Sequence, residues 1–361
     1  MNDKINGSVT ESSGTKRVFV LGAGFTRAFL PEAPLMVDDY DGSHLLAKFH
    51  GFKYANQVLD WEISKQGTNI NIERLMTRLY DRMPYDFPQG ADQELGMLLV
   101  ELKRNFVQRI QKARMRNVKD AELISFANYC LKNRIHCVTL NYDDVLDEAL
   151  FKAAENSDKF AQPQVLWHPD GGYGYFCRPS DVCVEDTMVQ MDLDVSMELL
   201  KLHGSINWFP KIGYSPPYSE DALVHHESWS QPSGMRKNEI ISSHINQEPF
   251  IVPPILTKSA ISEQPVLRLI WHRAYEVLRN ASEVTFIGYS LPLTDISVTT
   301  LLFEALQGLT PDRIKIVNYG TDELEQQKLI DRYQNTLGHL SPSNFVFDGA
   351  LEWVRSEISK T

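Results

Sequence analysis

"RVFVLGAGF", Arg17 to Phe25, is the stretch on which the fold turns. After the leading Arg it is a short β-type run closed by Gly22 and Gly24, and Thr26 to Leu30 continue as the start of a helix. A strand, a glycine turn and a helix start, in that order, aim free backbone N–H groups at a phosphate. The third glycine of a GxGxxG turn is missing because Arg27 stands there, and no strand-borne acid follows about 20 residues later to hold a ribose. The stretch therefore points to a nucleotide site on an α/β sheet and away from a hydride-transferring dehydrogenase.

Working outward, β-type runs return at Ile135 to Leu140, Met197 to Leu202, Phe250 to Ile255, Glu283 to Gly288 and Arg313 to Asn318. Helical patterns follow several of them, at Pro265 to Asn280, Asp295 to Gln307 and Asp322 to Tyr333. Alternation of this kind predicts a mainly parallel sheet covered by helices on both faces. The span 41–132 has a different texture. Ile72, Leu75, Met76 and Leu79 keep a helical period, as do Leu95, Leu98, Leu99, Leu102, Phe106 and Ile110, so this span reads as a helical insertion. Residues 1–15 are expected to be a flexible tail, with one domain over 16–361 that contains the insertion.

With 361 residues, 43% of them apolar, the chain is long enough for a substantial core. A net charge of −11 gives no global field favouring nucleic acid, and no direct nucleic-acid contact is expected. The basic run Lys103 to Lys119 reads as a solvated helix face. Cys130, Cys137, Cys177 and Cys183 form no CxxC pair, which argues against a zinc ribbon, and no metal is expected. No apolar run reaches the roughly 20 residues that a membrane span needs, and the chain reads as cytoplasmic.

Polar residues gather where the predicted strands stop: Gly22 to Gly24, Asn141 with Asp143, His203 with Gly204, Gly288 to Ser290, and Asn318. Ligands of open α/β sheets lie beyond the carboxyl ends of the strands, so these elements converge on one place. Helix capping is a competing use for Asn141 and Asp143, which stand at the start of a helix. His203 is placed to exchange a proton near neutral pH.

Taken together, "VLGAGFT", "TLNYDDVLDEA", "KLHGSINW", "FIGYSL" and "IVNYG" resemble, in order, the motifs of the sirtuin-like (SIR2-like) superfamily. Its GAGxS motif is matched by Gly22, Ala23, Gly24, Phe25 and Thr26, with Thr for Ser. Its TQNxD motif is matched by Thr139 to Asp143 with Leu140 for Gln, its HG pair by His203 and Gly204, and its GxSL by Gly288, Tyr289, Ser290 and Leu291. The resemblance implies a Rossmann-like fold and NAD as substrate, cleaved at the nicotinamide–ribose bond. It implies that Asn141 fixes the ribose and the attacking water, that Asp143 stabilises the nicotinamide-ribose pocket, and that His203 acts as base. The glycine turn with Thr26 would hold the pyrophosphate, Gly288, Tyr289 and Ser290 would line the nucleotide, and Asn318 would contact the adenosine.

Departures from the deacylases of that superfamily decide the expected activity. The paired zinc cysteines are absent, and Pro253 and Pro254 remove two backbone donors from the stretch expected to clamp a substrate peptide. With its large insertion, the chain is similar to the stand-alone sirtuin-like NADases of bacterial antiphage systems. That implies regulated hydrolysis of NAD to nicotinamide and ADP-ribose, as in abortive infection, by a homo-oligomer acting with a HerA-type ATPase or a short Argonaute. The alternatives are an NAD-dependent deacylase lacking zinc and a non-catalytic sensor of NAD or ADP-ribose.

Overall fold

A computed structural model describes residues 16–34, 40–67, 69–80, 91–114, 120–155, 167–174, 196–210, 223–225, 250–252, 264–293 and 295–360. Six parallel strands form the central sheet: β1 (Arg17–Leu21), β4 (His136–Thr139), β5 (Leu199–Lys201), β8 (Glu283–Ile287), β9 (Ile314–Val317) and β10 (Phe345–Val346). Their spatial order is β10-β9-β8-β1-β4-β5. The chain runs outward from β1 through β4 to β5, returns to β8 on the other side of β1, and continues to β10. This is the order of a doubly wound sheet, and its direction reverses between β1 and β8.

Val18, Phe19, Val20 and Leu21 are all essentially inaccessible, although successive side chains of a strand point to opposite faces. Both faces of β1 are therefore covered, as an unbroken apolar run requires. Helix α1 (Ala23–Phe29) touches α6 (Asp120–Lys132) and α12 (Ala350–Ile358), and α6 packs along α7 (Val145–Glu155). A second set comprises α9 (Pro265–Arg279), α10 (Ile296–Ala305) and α11 (Glu323–Leu337), in contact in that order.

The described residues between 40 and 110 build a cluster of their own around α2 (Ser43–Phe49), α3 (Lys53–Gln66), α4 (Ile72–Tyr80) and α5 (Ala91–Arg114). Leu75, Met76 and Leu79 of α4 share this cluster with Leu95, Leu98, Leu102, Phe106 and Ile110 of α5, and the two helices are in contact. Ile206 and Ile251 belong to this cluster and Tyr142 packs on it, so the helical layer abuts the strand-end region.

Phe250 to Ile255, expected as a sheet strand, is different in its described part. Phe250–Val252 runs beside the turn after β5: Ser205 N donates to Phe250 O at 3.0 Å and Val252 N to His203 O at 2.9 Å. Ile251 makes only an isolated antiparallel bridge with Gly204, because the segment is tied to this turn and, through Phe250 N to Trp208 O at 2.6 Å, to the residues just beyond it, and not to the central sheet. Pro253, Pro254, Cys177 and Cys183 lie outside the described residues. Strand β10 and helix α12, by contrast, were not expected.

Candidate active site

The turns after β1 and β8 press together. A Cβ at Gly288, where φ is +65°, would lie 2.1 Å from the Phe25 nitrogen, and one at Gly22 would lie 2.5 Å from the Tyr289 Cα. These glycines are small because two backbones meet at the sheet's reversal. Gly22 N donates to Ile287 O at 3.1 Å, Gly24 N to Gly288 O at 2.9 Å, and Phe25 N to Gly22 O at 2.9 Å. Three N–H groups of the expected phosphate cradle are thus engaged within the protein. Phe25 is a core residue, its ring 5.1 Å from that of Phe126.

The side chains beside this turn form a directed network. Asn141 Nδ2 donates to Gly22 O and to Thr26 Oγ1, both at 2.9 Å. Gly22 O can only accept, so the amide nitrogen must face it, which fixes the Asn141 orientation. Thr26 Oγ1 in turn donates to Asp143 Oδ2 at 2.7 Å. Asp143 Oδ1 accepts from Val145 N at 3.2 Å and so also caps α7. With both amide hydrogens committed, Asn141 offers a ligand one atom, its carbonyl oxygen.

Below this network lies a buried ion pair that sequence reasoning did not single out. Lys201 at the end of β5 is fully buried, and its Nζ lies 3.1 and 3.2 Å from the two oxygens of Asp147, itself 1% exposed. The same Nζ donates to Asp143 O at 2.5 Å, and Tyr173 Oη donates to Asp147 Oδ1 at 2.5 Å. Burial pushes the Asp147 carboxyl above its ordinary value, opposed by the charge of Lys201. The available signal was a lone Lys inside the apolar run "MELLKL". A cavity of about 10 Å³, the size of a single water, is bounded by Thr26, Asn141, Asp143 and Asp147.

His203 follows β5 and is 4% exposed. Its ring stacks on Tyr142 with centroids 5.9 Å apart, and Tyr142 meets Phe106 of α5 edge-on at 5.2 Å. Gly204 adopts φ +77° and would place a Cβ 2.3 Å from Phe250 O, so only glycine fits this turn. At the far strands, Asn318 Nδ2 donates to Tyr289 O at 3.3 Å, and Tyr333 Oη donates to the same carbonyl at 2.9 Å. Tyr289 is buried, with its hydroxyl donating to Asp295 at 3.2 Å, whereas Ser290 is exposed and Asn318 half-buried. Ala23 is the second residue of the β1 turn and the first of α1.

All the residues singled out in the sequence thus stand at the carboxyl ends of five adjacent strands, β9-β8-β1-β4-β5. The tight side-chain network joins Thr26, Asn141 and Asp143. Ser290 and Asn318 belong to the more open end near β8 and β9. Among the described residues, no group of three His, Cys, Asp or Glu is disposed to hold a metal ion, and no helix is long and apolar enough to cross a membrane.

No protein-family model matches the sequence, and no curated protein matches it. Solved structures do resemble it in layout. A Sir2 enzyme described for its mechanism and regulation aligns with 96% of this chain and 92% of its own, at 10% identity and a TM-score of 0.42. A Sir2 homologue in complex with NAD aligns with 96% of this chain and 89% of its own, at 12% identity and a TM-score of 0.41. At these values the likeness assigns neither a family nor an activity.

Proposed function

We propose that this chain is an NAD glycohydrolase, which adds water to the ribose carbon of NAD and releases nicotinamide and ADP-ribose. The observation that carries the reading is the Asn141 amide, locked by Gly22 O and Thr26 Oγ1 so that only its carbonyl oxygen is left for a ligand. The motif resemblance is the second support.

In such a reaction the C–N bond to the pyridinium breaks and its electron pair neutralises the ring nitrogen, so nicotinamide leaves uncharged. The ribose carbon gains oxocarbenium character, water forms the new C–O bond, and the proton of that water passes to a base or to solvent. A fixed acceptor suits this step, because it orients a ribose hydroxyl or the water without reorganising during reaction. The Asn141 Oδ1 is that acceptor, and His203 is the base toward a ribose hydroxyl. Asp143 spends both oxygens on Thr26 and Val145, so its part is to hold Asn141 through Thr26 and to supply nearby negative charge. The 10 Å³ cavity is far smaller than a dinucleotide, so NAD would lie on the solvent side of the strand ends, toward Ser290 and Asn318.

We further propose, on the sequence resemblance, that the activity is a regulated NAD-depleting effector of antiphage defence. It would act as a homo-oligomer beside a HerA-type ATPase or a short Argonaute. The test is release of nicotinamide and ADP-ribose from NAD, in purified protein and in cells expressing it with its genomic neighbours. Asn141→Ala is expected to abolish release while leaving the fold intact; undiminished turnover in that variant sinks the site assignment. Formation of O-acetyl-ADP-ribose from NAD and an acetylated peptide would instead mark a deacylase, and NAD binding with no turnover in any setting a sensor.

A further inference from the structure

The basic run of the sequence has no part in the reading above. Helix α5 carries it as far as Arg114, and Asn105, Gln108, Arg109 and Lys112 recur there at three- and four-residue spacing, along one flank of the helix. This flank faces Tyr40 and His44, from β2 (Tyr40–Asp41) and α2, across a cavity of about 390 Å³. That volume lies within the range of small-ligand pockets, about 300–1,000 Å³. None of its lining residues belongs to the strand-end network.

The walls of the cavity are ordered for a ligand that carries negative charge. The Arg109 guanidinium sits over the Tyr40 ring, 5.4 Å from its centroid, and Tyr40 is itself 4% exposed with its hydroxyl 3.1 Å from His44 Nε2. A buried ring under the guanidinium holds its plane in place while leaving its N–H fork available. Burial pushes the Tyr40 phenol well above its ordinary pKa, so Tyr40 brings no charge to cancel Arg109. Among the described residues no carboxylate pairs with Arg109 or Lys112, whereas nearby Lys48 is paired with Glu101 at 2.6 Å. The acid of the rim, Asp41, is committed to the start of α2, accepting from Ser43 N at 2.9 Å and Ser43 Oγ at 3.0 Å.

We propose that this cavity binds a small phosphate-bearing molecule, with Arg109 and Lys112 on the phosphate and Asn105, Gln108 and His44 on its remaining polar groups. Nucleotides are the class with that combination. A guanidinium fork matches two phosphate oxygens at once, and the ammonium of Lys112 adds a point charge. A nucleic-acid backbone fits less well, because it calls for an extended basic groove and the chain as a whole carries −11. The bound molecule would lie against the helix whose Phe106 rests on Tyr142, and so against the element that backs His203.

The test is calorimetric titration of the full chain with inorganic pyrophosphate and with AMP, in wild type and four variants. Arg109→Gln and the surface change Lys112→Glu are each expected to weaken binding about tenfold or more, and Arg109→Lys, which keeps the charge but not the fork, to fall between Arg109→Gln and wild type. Asn141→Ala should bind as wild type, which separates this site from the strand-end one and leaves the result independent of the NADase reading. Affinity unchanged in both Arg109→Gln and Lys112→Glu, loss in Asn141→Ala instead, or no binding to wild type overturns the proposal. Binding of a single-stranded oligonucleotide, lost in the same variants and not displaced by pyrophosphate, would overturn it in favour of a nucleic-acid surface.

Discussion

Replacing Lys201 by Met is the most informative perturbation of the site's foundations. Met keeps most of the side-chain volume and removes only the charge and its hydrogen bonds. At the observed 3.1 Å, two unit charges at an effective dielectric of about 20 attract by about 5 kcal/mol. Breaking one partner of a buried pair ordinarily costs about 3–5 kcal/mol, because the other charge is left buried and unmatched. Lys201→Met is therefore expected to lose that much stability near neutral pH, a large part of a typical domain's total.

The loss must depend on pH in a definite direction. Burial raises the Asp147 carboxyl above its ordinary value, and Lys201 holds that rise in check. A raised folded-state pKa contributes stability that is present below the unfolded value, about 3.9, and is lost as pH climbs through the folded value. Without Lys201 the folded value rises further, so the window of loss extends upward toward neutrality. Urea unfolding of the variant should lie closest to wild type near pH 4 and fall progressively behind by about pH 8. Tryptophan emission includes reporters at this place, since Trp167 and Trp208, two of the six tryptophans, flank Tyr173 with ring centroids at 5.4 and 5.0 Å. Adding Asp147→Leu to Lys201→Met should restore most of the stability, because an apolar pair replaces the orphaned charge. A deficit that is the same at both pH values, or one that Asp147→Leu does not relieve, refutes the reasoning.

Three further outcomes follow, two from the strand-end turns and one from the C-terminal cap of α11. Thr26→Val keeps the shape of the side chain but removes the acceptor of Asn141 Nδ2 and the donor to Asp143 Oδ2; it should cost about 1–3 kcal/mol and most of the NAD hydrolysis, with Thr26→Ser near wild type in both assays. Gly288→Ala should leave little soluble folded protein, because its Cβ would meet the Phe25 nitrogen at 2.1 Å. Gly338→Ala, at φ +85° with nothing within 4 Å, should cost only about 1–3 kcal/mol of backbone strain in the same unfolding assay.

Much of the sheet was legible because its strands are buried on both faces and end at polar turns. Val18 to Leu21 reads as an unbroken apolar run and Val284 to Ile287 as one interrupted only by Thr285, bounded by Gly22 and Gly288. Strand β10 escaped notice because two residues, Phe345 and Val346, carry no period. Phe250 to Val252 reads as a strand because it is an apolar run, but Ile251 and Val252 are buried beside the turn at Gly204. The gathering of site residues at strand ends was readable, since the rule that locates it depends on strand order alone. Which of those groups are already engaged was not. Lys201 and Asp147 stand 54 residues apart, and only the packing of β5 against β4 brings them together. The engagement of Gly24 N with Gly288 O likewise depends on how closely two turns approach.

The capping bond of Asp143 and the fixed orientation of the Asn141 amide, which compete as readings of "TLNYDD", belong to one network. The N-terminus of α7 fixes Asp143 through Val145 N, Asp143 fixes the Thr26 hydroxyl, and Thr26 with Gly22 O fixes the Asn141 amide. Each link leaves the next with one orientation, so the Asn141 oxygen is presented by a rigid helix and a rigid strand together. Lys201 adds a second anchor by binding the Asp143 carbonyl. The spacing of two residues between Asn141 and Asp143 then has a physical reason. In extended chain, alternate residues share a side, so both reach Thr26 while Tyr142 between them lies against Phe106 and His203. Capping by itself would be met by Asp143 alone; it gives no reason for an amide two residues earlier with both hydrogens spent and its oxygen left over.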